Sequence, residues 1–192
     1  MNPAVPDHAD ESVARKSSVN LPNALTVARL LCVPILVWFL TQPGLRWWAV
    51  VVFVIASATD FVDGAVARRY GQVTTFGKLA DPIADKALTG VALIGLSVLG
   101  DLWWWVTVVI LFREIAITLL RMWVIRIGVI PASPGGKAKT VAQMVAITML
   151  LMPITALWWL GLAYGVMAIA VVLTVATGCD YVVRVLRVRA AS

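Results

Sequence analysis

Apolar residues fall into six long stretches, drawn at 24–41, 46–67, 82–100, 103–125, 140–157 and 158–183, with shorter polar or Gly/Pro-bearing segments between them. Each stretch is close to the roughly 20 residues that cross a hydrocarbon core. The pattern predicts an all-α integral membrane protein with six transmembrane helices. The last two stretches are divided only by a tight turn from Met152-Pro153 to Trp158. The first 18 residues are different: they are polar and carry Asp7, His8, Asp10, Glu11, Arg15 and Lys16. No basic start followed by an apolar run occurs there, so a secretory signal is not expected. The chain therefore divides into a disordered tail over 1–18 and one transmembrane domain over 19–189.

Lys and Arg orient the helices. Arg15, Lys16 and Arg29 lie at the start of the first stretch. Arg68, Arg69, Lys78 and Lys86 surround the second connection, and Arg126, Lys137 and Lys139 the fourth. Arg184, Arg187 and Arg189 close the chain, whereas the opposite connections hold only Arg46. This asymmetry puts both termini on the cytoplasmic side of the cell membrane. Trp47, Trp48, Trp103, Trp104, Trp105, Trp158 and Trp159 mark the outer turns as an aromatic belt.

Composition agrees, with 61% hydrophobic residues and a mean hydropathy of +0.91, beyond the range of a soluble domain. The net charge of +6 is accounted for by a cytoplasmic face attracted to anionic headgroups. Nothing suggests a nucleic-acid partner. Cys32 and Cys179 have neither disulfide nor metal spacing and are expected to be packing residues.

Four aspartates disturb this apolar pattern. They occur in Asp60-Phe-Val-Asp63-Gly64-Ala-Val-Ala67-Arg68, then eight residues on in Gly77-Lys-Leu-Ala-Asp81-Pro-Ile-Ala-Asp85. An ionised Asp at a membrane centre costs roughly 2.5–3.5 kcal/mol, so four need compensation. Clustered carboxylate oxygens are what Mg²⁺ or Mn²⁺ binds. On a helix Asp60, Asp63, Gly64, Ala67 and Arg68 fall within roughly 140° of one face. Asp81 and Asp85 share a face of the next element, with Pro82 able to open a helix behind an Asp81 cap. Gly64 and Ala67 leave room for a bulky ligand. A metal site at a membrane surface points to phosphate chemistry.

Two further polar patches follow. Arg113, Glu114 and Arg121 interrupt the fourth stretch, with the two arginines about 80° apart around a helix. Because sequence neighbours point apart on a helix, Arg113 is not expected to be satisfied by Glu114. An anionic substrate is the expected partner of at least one arginine. Gly135-Gly136-Lys137-Ala-Lys139-Thr140-Val-Ala-Gln143 opens the fifth helix and combines glycines, lysines and a helix N-terminus into an anion site.

The aspartate run resembles the CDP-alcohol phosphatidyltransferase family, whose signature D-x2-D-G-x2-A-R-x8-G-x3-D-x3-D it matches at all eight fixed positions. The resemblance implies a membrane enzyme that moves a phosphatidyl group from a CDP-lipid to an alcohol and releases CMP. It implies two Mg²⁺ or Mn²⁺ ions on Asp60, Asp63, Asp81 and Asp85, with Asp85 also the base that deprotonates the acceptor. It places the CDP-lipid at Asp63, Gly64, Ala67, Arg68, Thr74 and Gly77, and it implies a homodimer.

The segments Asn20-Leu-Pro-Asn23-Ala-Leu-Thr26-Val-Ala-Arg29, Arg113-Glu114-Ile115 and Gly136 to Gln143 are similar to the family branch that makes phosphatidylglycerophosphate. CDP-diacylglycerol and sn-glycerol 3-phosphate are then the expected substrates, with Arg113, Arg121, Lys137 and Lys139 as candidates for the acceptor phosphate. Branches using inositol phosphate or phosphatidylglycerol are alternatives within the family. Direct attack gives a single displacement, and an aspartyl-phosphate route remains open. A transporter also carries intramembrane carboxylates, but it needs polar groups on a route to both faces, and these acids cluster at one.

Overall fold

The computed structural model describes the backbone of residues 21–70, 75–124 and 134–190, and the side chains of residues 27–59, 86–120, 122 and 135–187. Six helices occupy the described residues: α1 (Leu21–Thr41), α2 (Arg46–Tyr70), α3 (Thr75–Val98), α4 (Trp104–Val124), α5 (Pro134–Leu151) and α6 (Leu157–Ala190). The expected six-part division is thus present. The tail over 1–18, Thr74 and Arg126 lie outside the described residues.

Consecutive helices pack on each other except α4 and α5, which meet through the long side chains of Glu114 and Lys139. After α3, Gly100 takes a φ of 80°, and Asp101 N–H donates to the Leu96 carbonyl at 2.9 Å. That is the left-handed cap in which only glycine avoids a Cβ penalty. Gly44 makes the corresponding turn before α2, also with a φ of 80°. α1 packs on α2 and α3, α5 packs on α6, and α4 bridges α3 to α6. Leu36, Phe53, Leu93, Leu96, Ile110, Ile147 and Leu151 form a fully buried centre.

Several boundaries differ from those expected: α5 ends at Leu151 rather than 157, α6 runs on to Ala190 rather than 183, and two helix starts move. Asp81 does not cap α3 with Pro82 behind it, because α3 already begins at Thr75. Hydropathy detects apolar residues, and the polar first turns of α3 contain few. α5 likewise begins at Pro134 rather than near 140, with proline in the first-turn position where its missing N–H costs nothing. Cys32 packs against the core, but Cys179 is exposed; the expectation that both cysteines pack fails for Cys179.

Large apolar side chains face outward as well as inward: Val108, Phe112, Ile115 and Leu119 on α4, and Leu162, Ile169 and Val172 on α6, are all exposed. Apolar surface this extensive needs an apolar surrounding. Among the described residues, Leu157–Arg187 is long and apolar enough to cross a membrane, with a hydropathy of 2.1 in a window that is only 22% buried. A core helix of a soluble protein would be mostly covered.

One end of the bundle carries most of the tryptophans. Trp47, Trp48, Trp103, Trp104, Trp105 and Trp158 are exposed there, while Trp159 donates to the Met149 carbonyl at 3.1 Å. Trp103 stacks on Tyr164 with ring centroids 5.3 Å apart. A polar clasp ties this end together. Arg46 meets Asp101 at 2.8 Å and donates to the Leu150 carbonyl at 3.0 Å. The Tyr164 hydroxyl donates to the Asp101 carbonyl at 3.0 Å.

The Gly100 cap sets a sign test. A Cβ at Gly100 meets nothing within 4 Å, so Gly100→Ala carries only the left-handed strain and should destabilise by about 1–2 kcal/mol. Gly161 lies inside α6 with the same open space, so Gly161→Ala should be stabilising by up to about 1 kcal/mol. Reversible unfolding in detergent micelles reads both.

Candidate active site

Opposite the tryptophan end, the chain gathers its charges. Asp60, Asp63, Gly64, Ala67 and Arg68 lie in the second half of α2. Gly77, Asp81 and Asp85 lie in the first half of α3. The two runs are joined by only residues 71–74, so all four aspartates belong to this end. With Asp81 and Asp85 both inside a continuous helix, their four-residue spacing puts them about 40° apart on one face. Their side chains, with those of Asp60, Asp63, Arg68, Thr74 and Arg121, lie outside the described ones.

One turn deeper than Asp81, the described side chains form a compact ionic hub centred on Glu114 of α4. Its Oε2 accepts from Lys86 Nζ of α3 at 3.1 Å. Its Oε1 accepts from Arg113 Nη1 at 2.9 Å and from Lys139 Nζ of α5. Arg113 continues the link to α6: Nε donates to the Thr174 carbonyl at 3.1 Å and Nη2 to the Thr177 hydroxyl at 2.7 Å. Three helices therefore share one carboxylate, and a fourth is attached through the guanidinium.

This arrangement corrects one sequence expectation. Arg113 and Glu114 do pair, although they are adjacent, because the long arginine side chain turns back toward its neighbour while lying across α6. Gly178 makes that path possible. A Cβ there would sit 3.2 Å from Arg113 Cγ and 3.3 Å from Nε, so a larger residue would push the guanidinium off the α6 backbone.

The two lysines expected to act together separate. Lys139 is buried at 4% exposure, whereas Lys137 is exposed. Three cations surround a single carboxylate, which leaves two positive charges of Lys86, Arg113 and Lys139 unbalanced among the described side chains. Such an excess suits an anionic ligand. Lys86 also follows Asp85 directly in α3, so the cationic hub adjoins the aspartate run.

Sequence reasoning treated Glu114 only as a weak partner for Arg113 and gave Lys86 no ligand role. A signal existed: a lone carboxylate within an apolar stretch needs cations from other helices. Which cations answer it depends on tertiary packing. From the level of Ser57 toward the tryptophan end, an apolar groove of about 410 Å³ runs between α2 and α5, lined by Val54, Ser57, Met144, Val145, Thr148, Met149 and Met152.

An all-helical bundle with apolar outer faces and a charged site at one end defines a helical membrane protein. The CDP-alcohol phosphatidyltransferase family model matches residues 19–176, and the chain belongs to that family. It is 52% identical over 178 residues to a Mycobacterium tuberculosis protein named "Probable phosphatidylglycerophosphate synthase", covering 90% of this chain and 85% of the relative. It is 40% identical over 140 residues to the CDP-diacylglycerol–glycerol-3-phosphate 3-phosphatidyltransferase of Rickettsia bellii, covering 71% and 77% of the two chains. The Bacillus subtilis protein of that name is 36% identical over 180 residues, covering 84% and 93%.

The hub predicts an asymmetric mutational response. Glu114→Ala strands buried cations and should destabilise the protein by about 3 kcal/mol. Adding Lys139→Met should recover part of that loss, since it removes a charge whose partner has gone. Thermal unfolding of the single and double variants in one detergent measures the coupling.

Proposed function

We propose that this protein transfers the phosphatidyl group of CDP-diacylglycerol to sn-glycerol 3-phosphate, giving phosphatidylglycerophosphate and CMP. The observation that carries this reading is the complete aspartate signature at the charged end of the bundle. It occurs in a chain 36–52% identical to relatives named for this reaction or product. The cationic hub favours an acceptor that already bears a phosphate over a neutral alcohol.

The six helices all cross the cell membrane in this proposal, with residues 19–189 as the catalytic domain and 1–18 as a cytoplasmic tail. The Lys/Arg asymmetry and the exposed tryptophans support a cytoplasmic active site and cytoplasmic termini. The groove along α2 and α5 is apolar and begins near the level of Asp60, which suits an acyl chain of the donor. Family resemblance supports a homodimer.

Asp60, Asp63, Asp81 and Asp85 fit a pair of divalent cations, because four carboxylates at one end of two adjacent helices supply hard oxygen donors. Bound Mg²⁺ or Mn²⁺ supplies charge neutralisation to the donor diphosphate. Asp63, Gly64, Ala67, Arg68, Thr74 and Gly77 hold the nucleotide end of the CDP-lipid. Asp85 accepts the proton of the acceptor's primary hydroxyl, whose oxygen bonds to the phosphorus carrying diacylglycerol as the bond to CMP breaks.

Arg113, Arg121, Lys137 and Lys139 serve the acceptor phosphate. Within that set Lys139 supplies buried charge and Lys137 exposed charge. Arg113 uses three of its five N–H groups inside the protein, so two remain for a ligand.

Purified protein in detergent, given CDP-diacylglycerol and Mg²⁺ or Mn²⁺, should release CMP fastest with glycerol 3-phosphate among glycerol 3-phosphate, inositol phosphate, inositol, serine and phosphatidylglycerol. Chelation by EDTA should stop turnover. Single Asp→Asn changes at positions 60, 63, 81 and 85 should lower the rate by about a thousandfold or more, a loss of several kcal/mol of transition-state stabilisation. Near-normal rates in two of the four would sink the metal-site assignment. Preference for another acceptor would move the protein to a different branch.

Topology is tested separately in whole cells. A cysteine introduced at Gly44 or Asp101 should react with an impermeant thiol reagent from outside. One introduced in the 71–74 connection should react only after the membrane is opened.

A further inference from the structure

Among the described residues, a polar neighbour of the hub has an amide oxygen with nothing to bond. Gln143 lies on α5 four residues beyond Lys139, one turn along and about 40° round the same face. It is only 4% exposed, and its amide Oε1 is buried without a hydrogen-bond partner. Neighbouring polar groups are paired. Lys86 and Lys139 are held by Glu114, Arg113 by Thr174 and Thr177, and the Thr174 hydroxyl by the Ala170 carbonyl at 2.6 Å.

A buried amide without a partner costs stability that an apolar residue of similar size would not. Its retention beside a paired, charged layer is explained by a ligand group that enters and bonds to it. A phosphate is better served by the Lys139 cation one turn away than by a neutral amide. A neutral hydroxyl close to a phosphate is the matching chemistry. The rise between Lys139 and Gln143, about 6 Å along the helix, is a distance that a three-carbon polyol phosphate can bridge.

We propose that Gln143 is a specificity-determining residue of the acceptor site. Its amide accepts a hydrogen bond from the secondary hydroxyl of sn-glycerol 3-phosphate while Lys139 faces the phosphate. The inference rests on the acceptor proposed above and adds the group that reads its unreacted hydroxyl. The amide carries an acceptor and a donor end, and a hydroxyl can satisfy either.

The test compares glycerol 3-phosphate with 3-hydroxypropyl phosphate, which keeps the phosphate and the attacking primary hydroxyl but lacks the secondary one. Wild-type protein, with CDP-diacylglycerol in mixed micelles, should favour glycerol 3-phosphate in kcat/KM by about tenfold or more. In Gln143→Leu and Gln143→Met that ratio should collapse to within about twofold, since the variants lack the discriminating hydrogen bond. Their activity on the analogue and their KM for CDP-diacylglycerol should stay near wild type. An unchanged ratio in both variants overturns the assignment, as does a wild-type ratio near one. Failure of both variants to fold also overturns it, because an unpartnered amide has no internal bond to lose. If wild-type protein does not use glycerol 3-phosphate at all, the proposed acceptor fails instead, and that result is distinct from the others.

Discussion

Glu114 accepts bonds from Lys86, Arg113 and Lys139, and through them it governs how α3, α4, α5 and α6 meet. A carboxylate in an apolar bundle is tolerated only when cations surround it, and a buried cation is tolerated only beside an anion. The mutual requirement leaves little freedom in helix register. Sliding α5 by one turn would carry Lys139 away from Glu114 and leave both unpaired. The apolar core is less selective, because Leu, Ile and Val accept many partners. The hub therefore fixes the alignment of α3 to α6 next to the aspartate run, while apolar packing supplies cohesion along the bundle.

The helix count was legible because apolar stretches of membrane length are separated by glycine, proline and charge. Helix starts were less so. Polar first turns, as at Thr75 and Pro134, carry no hydropathy signal, although Pro134 itself is a start signal at the sequence level. The aspartate pattern was legible as well, since its spacing fits a helix face whatever the tertiary structure. Glu114 as a shared anion was not. Lys86 and Lys139 lie 28 and 25 residues from it in sequence, and only packing brings three such distant positions together. Gln143 was visible as part of a motif, but its missing partner could be seen only after its neighbours were placed.

Small residues have a role that neither charge nor hydropathy reveals. Gly178 lets Arg113 lie against α6 with its aliphatic stem near the position a Cβ would take. Gly95 does the same for α1 and α3, since a Cβ there would approach Leu40 Cδ1 to 2.7 Å. In a membrane, where burial of apolar surface gains little between helices, close approach and interhelical hydrogen bonds carry much of the association.

The pairing of Arg46 with Asp101 has an electrical consequence. It leaves the tryptophan end nearly neutral, while the opposite end holds a surplus of positive charge. A membrane potential, negative inside, acts on each unbalanced charge with about 2.3 kcal/mol per 100 mV. With the charged end inside, as proposed, the surplus lies along that field, and an energised membrane disfavours the inverted orientation more strongly than a resting one.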